Sequence, residues 1–262
     1  MEEGNQRQRI QKFLSAQGIC SRRSGEKAVL EQRVCVNGKP ATIGQLIDPQ
    51  QDTITFDGET IRPRVRQKLI LIALHKPRGY VCTHCDPHCP ISDTIYSLLP
   101  GYGDVKLICC GRLDKDSEGL VLLTNDGALA AKLLHPSSGI AKHYRVEIHM
   151  PLDEGHRRAL LDGIESEGDT LRAAHVECET GGRRRLHVVL REGRKRHIRR
   201  MLEYFGYRVD RLIRFRIGHF ALDKIPVGRY RRLDESHLKK LLVHDQKFAD
   251  SLQKYGSRGD CE

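Results

Sequence analysis

The 262-residue chain contains no tryptophan, and only 5% of its residues are aromatic. Proteins that bind single-stranded nucleic acids without sequence preference stack the bases on exposed aromatic rings. The scarcity of such rings therefore argues against a broad stacking platform. If the ligand is a nucleic acid, we expect recognition through charge and through one deep pocket.

Long apolar runs are also missing, and the chain begins with Met-Glu-Glu-Gly-Asn-Gln rather than a basic segment followed by an apolar one. We therefore expect neither a membrane helix nor a signal peptide, and we predict a cytoplasmic location. The nine cysteines are scattered and odd in number, which favours reduced thiols over a disulfide framework. Walker and dinucleotide-binding loops are absent from the sequence, so we expect a reaction without cofactor or metal.

Positive charge is abundant. Lysine and arginine total 45 against 34 acidic residues, which gives a formal net charge of +11 and a pI near 9.3. Such a balance favours a polyanionic partner.

The first sixty residues predict a small unit over 8–62. Ile10, Phe13 and Leu14 have helical spacing, and a second helix is predicted to start near Ser21. Apolar alternation then leads into Asn37-Gly38, a strong hairpin signal. The basic residues of this unit are Arg22, Arg23, Lys27, Arg33 and Lys39. By itself such a cluster fits an RNA-binding surface and a merely solvated surface equally well.

The remainder divides into a linker at 63–68, a larger domain at 69–244 and a loose tail at 245–262. Short alternating strands dominate the larger domain, with a few helices and no regular βαβ rhythm. This pattern predicts an α+β fold on a mainly antiparallel mixed sheet.

The stretch from Gly111 to Gly127 predicts a charged loop, a buried strand and a turn. Its Asp114 could be a nucleophilic or basic carboxylate that a nearby arginine keeps ionised. It could also share a metal with Asp116 and Glu118, although Asn125 occupies the position where a calcium loop needs glutamate. A solvated turn is the third alternative.

A second metal hypothesis concerns Cys82, His84, Cys85, His88 and Cys89. Their spacing includes a zinc-like Cys-x2-Cys half-site. Cys109-Cys110 could complete such a site only through the fold, so we favour thiols that simply fill space.

Two further segments carry candidate side chains. The alternation over 142–149 predicts a strand with Tyr144 on its inner face, and with His143 and His149 at the surface. The basic run over 192–202 predicts a helix behind a glycine, where phosphates bind favourably.

Several of these elements resemble one family. Gly111-Arg-Leu-Asp114 resembles the signature of pseudouridine synthases, specifically the RsuA/RluB-type ribosomal RNA branch, and the resemblance extends from about Gln8 to about Leu242. The 8–62 unit is similar to the S4 RNA-binding domain. Lys142-x-Tyr-x-Val146, the basic run at 194–202 and Leu212-x-Arg-x-x-Ile-Gly218 resemble further family elements. Ser117 stands where many members have threonine, which preserves the hydroxyl.

The resemblance implies a cofactor-free isomerisation of uridine to pseudouridine in ribosomal RNA or a pre-ribosomal particle, with 23S RNA favoured. The oligomeric state cannot be read from the sequence, and a monomer is the default expectation. The resemblance also implies Asp114 as the nucleophile, Tyr144 as the base-stacking proton acceptor and Arg199 as the ion-pair partner of Asp114. Attack on the sugar and attack on the base both remain open. The implied pocket residues are Arg112, Leu113 and Leu212. The expected RNA contacts are Lys76, Arg194, Lys195, Arg196 and Arg200, together with the basic residues of the S4-like unit.

Two other functions compete with this interpretation. A non-catalytic RNA-binding or ribosome-assembly factor would use the same basic surface, but it would not need Asp114, Tyr144 and Arg199 together. A metal-dependent hydrolase would instead use Asp114, Asp116 and Glu118.

Overall fold

The computed structural model describes residues 7–62, 68–83, 90–103, 105–179 and 182–242. The chain forms two compact units, Met1–Lys68 and Leu69–Glu262. Most of the predicted linker and the whole predicted tail lie outside the described residues. In the described part of the chain, no helix combines the length and apolar character needed to cross a membrane.

The N-terminal unit packs two helices against short strands. Its elements are β1 (Gln8–Arg9), α1 (Ile10–Ala16), α2 (Arg22–Leu30), β2 (Val34–Val36), β3 (Lys39–Pro40), β4 (Leu46–Ile47), β5 (Ile54–Phe56) and β6 (Glu59–Thr60). Ser21 caps α2 by accepting a hydrogen bond from the Ser24 amide, as serine does at helix starts. Asn37 and Gly38 both have positive φ angles, 51° and 76°, which the predicted two-residue hairpin requires.

The C-terminal unit contains one main sheet with helices on its faces. Its strands are β7 (Leu71–Lys76), β8 (Ile108–Cys110), β9 (Glu118–Thr124), β10 (Lys142–Ile148), β11 (Ile164–Ser166), β12 (Asp169–Leu171), β13 (His175–Cys178), β14 (Arg185–Leu190), β15 (Val209–Ile217), β16 (Phe220–Ala221) and β17 (Tyr230–Arg232). Its α-helices are α3 (Gly127–Leu134), α4 (Glu154–Asp162), α5 (His197–Glu203) and α6 (Glu235–Leu242).

The main sheet has the order β13-β14-β10-β15-β9-β7-β17, with β16 beside β15 and β8 beside β9. Only the β15–β9 pair is parallel among the pairings of the described strands. This sheet confirms the predicted α+β fold.

The central strand β9 is buried on both faces. Val121 and Leu123 enter one apolar core, while Leu120 and Leu122 enter a second core that α3 and α6 cover. A strand covered on both sides needs a continuous apolar sequence rather than alternation. This requirement explains why the segment after Asp114 has no polar face.

Three expectations differ from the structure. The sequence over 171–179 predicts a single strand, but the structure forms two, because Leu171 pairs with Ile164 in a hairpin whereas His175 pairs with β14. Helix α5 begins only at His197, since Arg196 adopts a left-handed conformation with φ 52°. His143 is fully buried rather than at the surface, because β10 lies between β14 and β15.

Candidate active site

Asp114 lies in the loop that connects β8 to β9 and is half-buried. The loop turns tightly, with the Ser117 amide donating a hydrogen bond to the Asp114 carbonyl at 3.1 Å. Ser117 itself is fully buried. The carboxylate is therefore presented by a short, anchored loop at the entrance to the central strand.

Lys76, at the end of β7, holds this loop from beneath. Its side chain is fully buried, and Nζ donates to the carbonyl oxygens of Asp114, Lys115 and Ser117 at 3.1, 3.3 and 2.6 Å. Burial lowers the pKa of Lys76 to about 8. The predicted contact between Lys76 and an RNA phosphate is wrong, because the ammonium is enclosed by the loop.

Arg214, in β15, holds the start of the same loop and is a residue that the sequence analysis did not single out. Its buried guanidinium donates to the carbonyls of Gly111 and Leu120 at 2.7 and 2.8 Å, and to that of Arg112 at 3.4 Å. The available signal was an arginine between the apolar residues Ile213 and Phe215 of a predicted family element, because a buried cation must find acceptors.

Gly119 makes this arrangement sterically feasible. Arg214 pairs with Gly119 in the parallel β15–β9 ladder. A Cβ at Gly119 would lie 2.3 Å from the Arg214 carbonyl oxygen, and Gly119 has a φ of 114°. Only glycine allows both the backbone conformation and this close approach.

Arg199, in α5, approaches the loop from another side. Nη1 donates to the Val209 carbonyl at 3.2 Å and Nη2 to the Asp116 carbonyl at 3.3 Å. Its charge faces the carboxylates of Asp116 and Asp114, and burial lowers its pKa below the usual arginine value. Among the described residues no direct ion pair joins Arg199 to Asp114. The expected pairing is thus corrected to a longer-range attraction, because both terminal nitrogens bind backbone carbonyls.

Two predicted pocket residues and the predicted base-stacking tyrosine lie in one apolar cluster. Leu113, Tyr144 and Leu212 are all buried in the same core. In the sheet, Tyr144 pairs with Arg214, and the neighbouring Val146 pairs with Leu212. Leu113 comes from the Asp114 loop. Arg112, in contrast, is exposed.

The predicted RNA contacts before and within α5 differ in whether their charge is already used in an ion pair. Lys195 is exposed and has no ion-pair partner in the described part of the chain. Arg194 pairs with Asp169, and Arg196 pairs with Glu203.

Arg200 corrects an expectation. It is buried, and its guanidinium contacts Asp169 at 2.9 Å and Glu167 at 3.3 Å. The guanidinium is thus already used to join α5 to the turn between β11 and β12. The predicted contact of Arg200 with the RNA backbone is therefore wrong.

The basic residues of the N-terminal unit also include some that form ion pairs and some that do not. Arg22, Arg23 and Lys39 are exposed, and none of them forms an ion pair with another residue that the structure describes. Lys27 pairs with Glu31 at 3.6 Å and Arg33 with Asp57 at 2.6 Å. Three of the five predicted contacts are therefore free cations on the surface of this unit.

The acidic metal hypothesis finds no support. Glu118 pairs with Arg211, and Asp114, Asp116 and Glu118 do not converge as metal ligands within the described ranges. In the second metal hypothesis, His84, Cys85, His88 and Cys89 lie outside the described residues. Cys82 is buried beside the active-site loop, where its Sγ accepts a hydrogen bond from the Leu113 amide at 3.5 Å.

Comparison with known proteins agrees with this architecture. The family model of RNA pseudouridylate synthases matches residues 70–204, and the S4 domain model matches residues 8–52. The dual-specificity RNA pseudouridine synthase RluF of Escherichia coli (strain K12) is 37% identical over 230 residues, which cover 88% of this chain and 77% of that protein. Ribosomal large subunit pseudouridine synthase B of Pseudomonas aeruginosa is 36% identical over 237 residues, which cover 88% of this chain and 61% of that protein.

A solved structure gives the same result. The crystal structure of a pseudouridylate synthase matches with a TM-score of 0.64 at 30% identity, over 89% of this chain and 99% of that one. The sheet, the loop that carries Asp114 and the S4 domain are thus those of one family. This chain belongs to the RNA pseudouridine synthases.

Proposed function

We propose that this enzyme isomerises a specific uridine of ribosomal RNA, in the large subunit, with Asp114 as the nucleophile and without a cofactor. Two relatives support the choice of substrate, since one is named a ribosomal large subunit synthase and the other a dual-specificity RNA synthase. The excess of 11 positive charges suits a polyanionic substrate.

One observation carries the assignment of Asp114. Lys76, Arg199 and Arg214 donate hydrogen bonds to backbone carbonyls on both sides of it, from three different elements of the fold. A solvated turn does not need three buried cations to fix its backbone. A nucleophile does, because a displacement of about 1 Å can cost about 100-fold in rate.

The chemistry follows from this placement. The target uridine leaves its stack and enters the site. Asp114 attacks C1′ of the ribose, and the N1–C1′ bond breaks as the Asp114–C1′ bond forms. The uracil then rotates and a C5–C1′ bond forms, which displaces Asp114. The proton on C5 is lost and N1 gains one, so the reaction involves no oxidant or reductant.

The remaining site residues have supporting roles in this proposal. Tyr144 stacks on the base and accepts the C5 proton, and Leu113 and Leu212 form an apolar wall beside it. Arg112, exposed on the loop, contacts the RNA strand. The positive charge of Arg199 faces the carboxylate of Asp114.

We assign RNA binding to the S4 domain (residues 8–62) and to exposed basic residues of the catalytic domain (residues 69–244). The best candidates for phosphate contacts are exposed cations that form no ion pair within the described part of the chain, namely Arg22, Arg23, Lys39 and Lys195. We also propose that the enzyme acts as a monomer in the cytoplasm, where ribosomal RNA is modified.

Matched carboxylate variants test the assignment. Asp114→Asn should abolish isomerisation while leaving RNA affinity within a few-fold, whereas Asp116→Asn, two residues along the same loop, should retain activity. Pseudouridine mapping in total ribosomal RNA, from cells with and without this chain, identifies the site. Full activity of Asp114→Asn, or unchanged pseudouridines in cells that lack the chain, would overturn the proposal.

A further inference from the structure

The edge of the main sheet carries a group of side chains that the isomerase chemistry does not use. Glu177 of β13 lies directly opposite His187 of β14, and His175 lies two residues before Glu177. Residues two apart in a strand project from the same face. One potential ligand atom from each of these three side chains lies within 4.8 Å of the other two.

We propose that His175, Glu177 and His187 bind one divalent transition-metal ion of the zinc, cobalt or nickel class. Two imidazoles and a carboxylate form a donor set that zinc uses in proteins.

The spacing suits such an ion. Two ligand atoms of a tetrahedral zinc ion lie about 3.4 Å apart when each bond is about 2.1 Å long. His175 Nε2 and Glu177 Oε2 are already 3.3 Å apart. The Glu177 side chain is 62% exposed and can rotate to close the remaining distance. The two imidazoles are less exposed than this carboxylate, since the His175 side chain is 20% exposed and His187 is half-buried.

His143 supplies the supporting contact that metal-bound histidines have. Its Nδ1 lies 3.1 Å from His187 Nε2, and the two rings stack with their centroids 5.3 Å apart. A second polar group on a ligating imidazole fixes the orientation of the ring.

The site is separate from the catalytic centre. Tyr144, Val176 and Val188 point into the apolar core that contains Leu113. His143, His175 and His187 each neighbour one of these residues in sequence, so they point to the opposite face of the sheet. We therefore expect the metal to stabilise the sheet edge and to take no part in isomerisation.

Metal titration of the purified, chelator-treated full chain tests the site. The probe is Co²⁺, followed by absorption and by calorimetry, and the variants are His175→Asn and Glu177→Gln. We expect the wild type to bind one Co²⁺ that His175→Asn does not bind. Glu177→Gln should weaken this binding by at least about 10-fold. Zn²⁺ should raise the melting temperature of the wild type more than that of His175→Asn, because binding to the folded state stabilises it.

Controls separate this site from others in the chain. Glu179→Gln changes the next carboxylate on the same side, which pairs with Arg145, and should bind Co²⁺ as the wild type does. Cysteine ligation would add thiolate-to-cobalt charge-transfer absorption, which a site of two imidazoles and a carboxylate cannot produce. Equal Co²⁺ stoichiometry and affinity in the wild type and His175→Asn would overturn the proposal. Isomerase activity, measured in parallel with chelator present, tests the proposed function independently.

Discussion

The buried ammonium of Lys76 donates a hydrogen bond to the backbone carbonyl of Asp114 over 3.1 Å. This cation supports the catalytic loop from inside the protein, in a position that RNA cannot reach. Its partners are carbonyl oxygens rather than the carboxylate. It therefore fixes the backbone of Asp114 and leaves the carboxylate available to the substrate.

Lys76→Met should reduce the isomerisation rate by about 100-fold while leaving RNA affinity unchanged, because the loop carbonyls lose their donor and Asp114 shifts. Single-turnover pseudouridine formation measures the rate, and filter binding measures the affinity. Lys132→Met, on the exposed side of α3, is the matched control and should behave as the wild type does.

The pH dependence of isomerase activity provides a second test of the role of Lys76. Burial lowers the pKa of Lys76 to about 8, so the group is protonated below that pH and loses a donor above it. Wild-type activity should fall as the pH rises through about 8, and Lys76→Met should lack this decline. An identical decline in both proteins would show that Lys76 is not its source.

Arg199 contributes both a charge and two hydrogen bonds, and two substitutions separate these contributions. Arg199→Lys keeps the charge that faces Asp114, whereas Arg199→Gln removes it. We expect the lysine variant to retain at least about 10-fold more activity than the glutamine variant, because lysine keeps a positive charge beside the Asp114 carboxylate. Equal losses in kcat would indicate that the carbonyl contacts matter and the charge does not.

RNA binding by the S4 domain should depend on its unpaired cations. Replacing Arg22 and Arg23 with glutamine should weaken binding and reduce the slope of log affinity against log salt by about 0.7–0.9 for each phosphate that the protein no longer neutralises. Arg33→Gln is the matched control and should change the slope less, because Arg33 already pairs with Asp57 at 2.6 Å. Equal slopes for the wild type and the double variant would place the RNA elsewhere.

Gly119→Ala should destabilise the catalytic domain by about 3 kcal/mol or more, since it combines a left-handed backbone with a clash against the Arg214 backbone. Urea unfolding measures the decrease in stability. Gly103→Ala, where a Cβ meets nothing within 4 Å, should change stability little. A similar stability for both variants would mean that β9 and β15 can separate at no cost.

The sequence by itself determined the elements and the chemistry they carry. Helical spacing at Ile10, Phe13 and Leu14, the Asn37-Gly38 turn and the apolar run after Asp114 are local patterns, and local patterns follow from backbone geometry and burial. The Gly111-Arg-Leu-Asp114 motif and the S4-like unit before it were also visible in the order of residues, and they indicated the family.

Only the tertiary structure decided which cations face solvent and which support the loop. The order of residues does not show that Lys76, Arg199, Arg200 and Arg214 are each buried against oxygen atoms from distant segments. A charge is buried only when the fold supplies its partners, and those partners are not adjacent in the chain. For the same reason the contact between His143 and His187 could not be predicted from the sequence, because it depends on the register of β10 and β14.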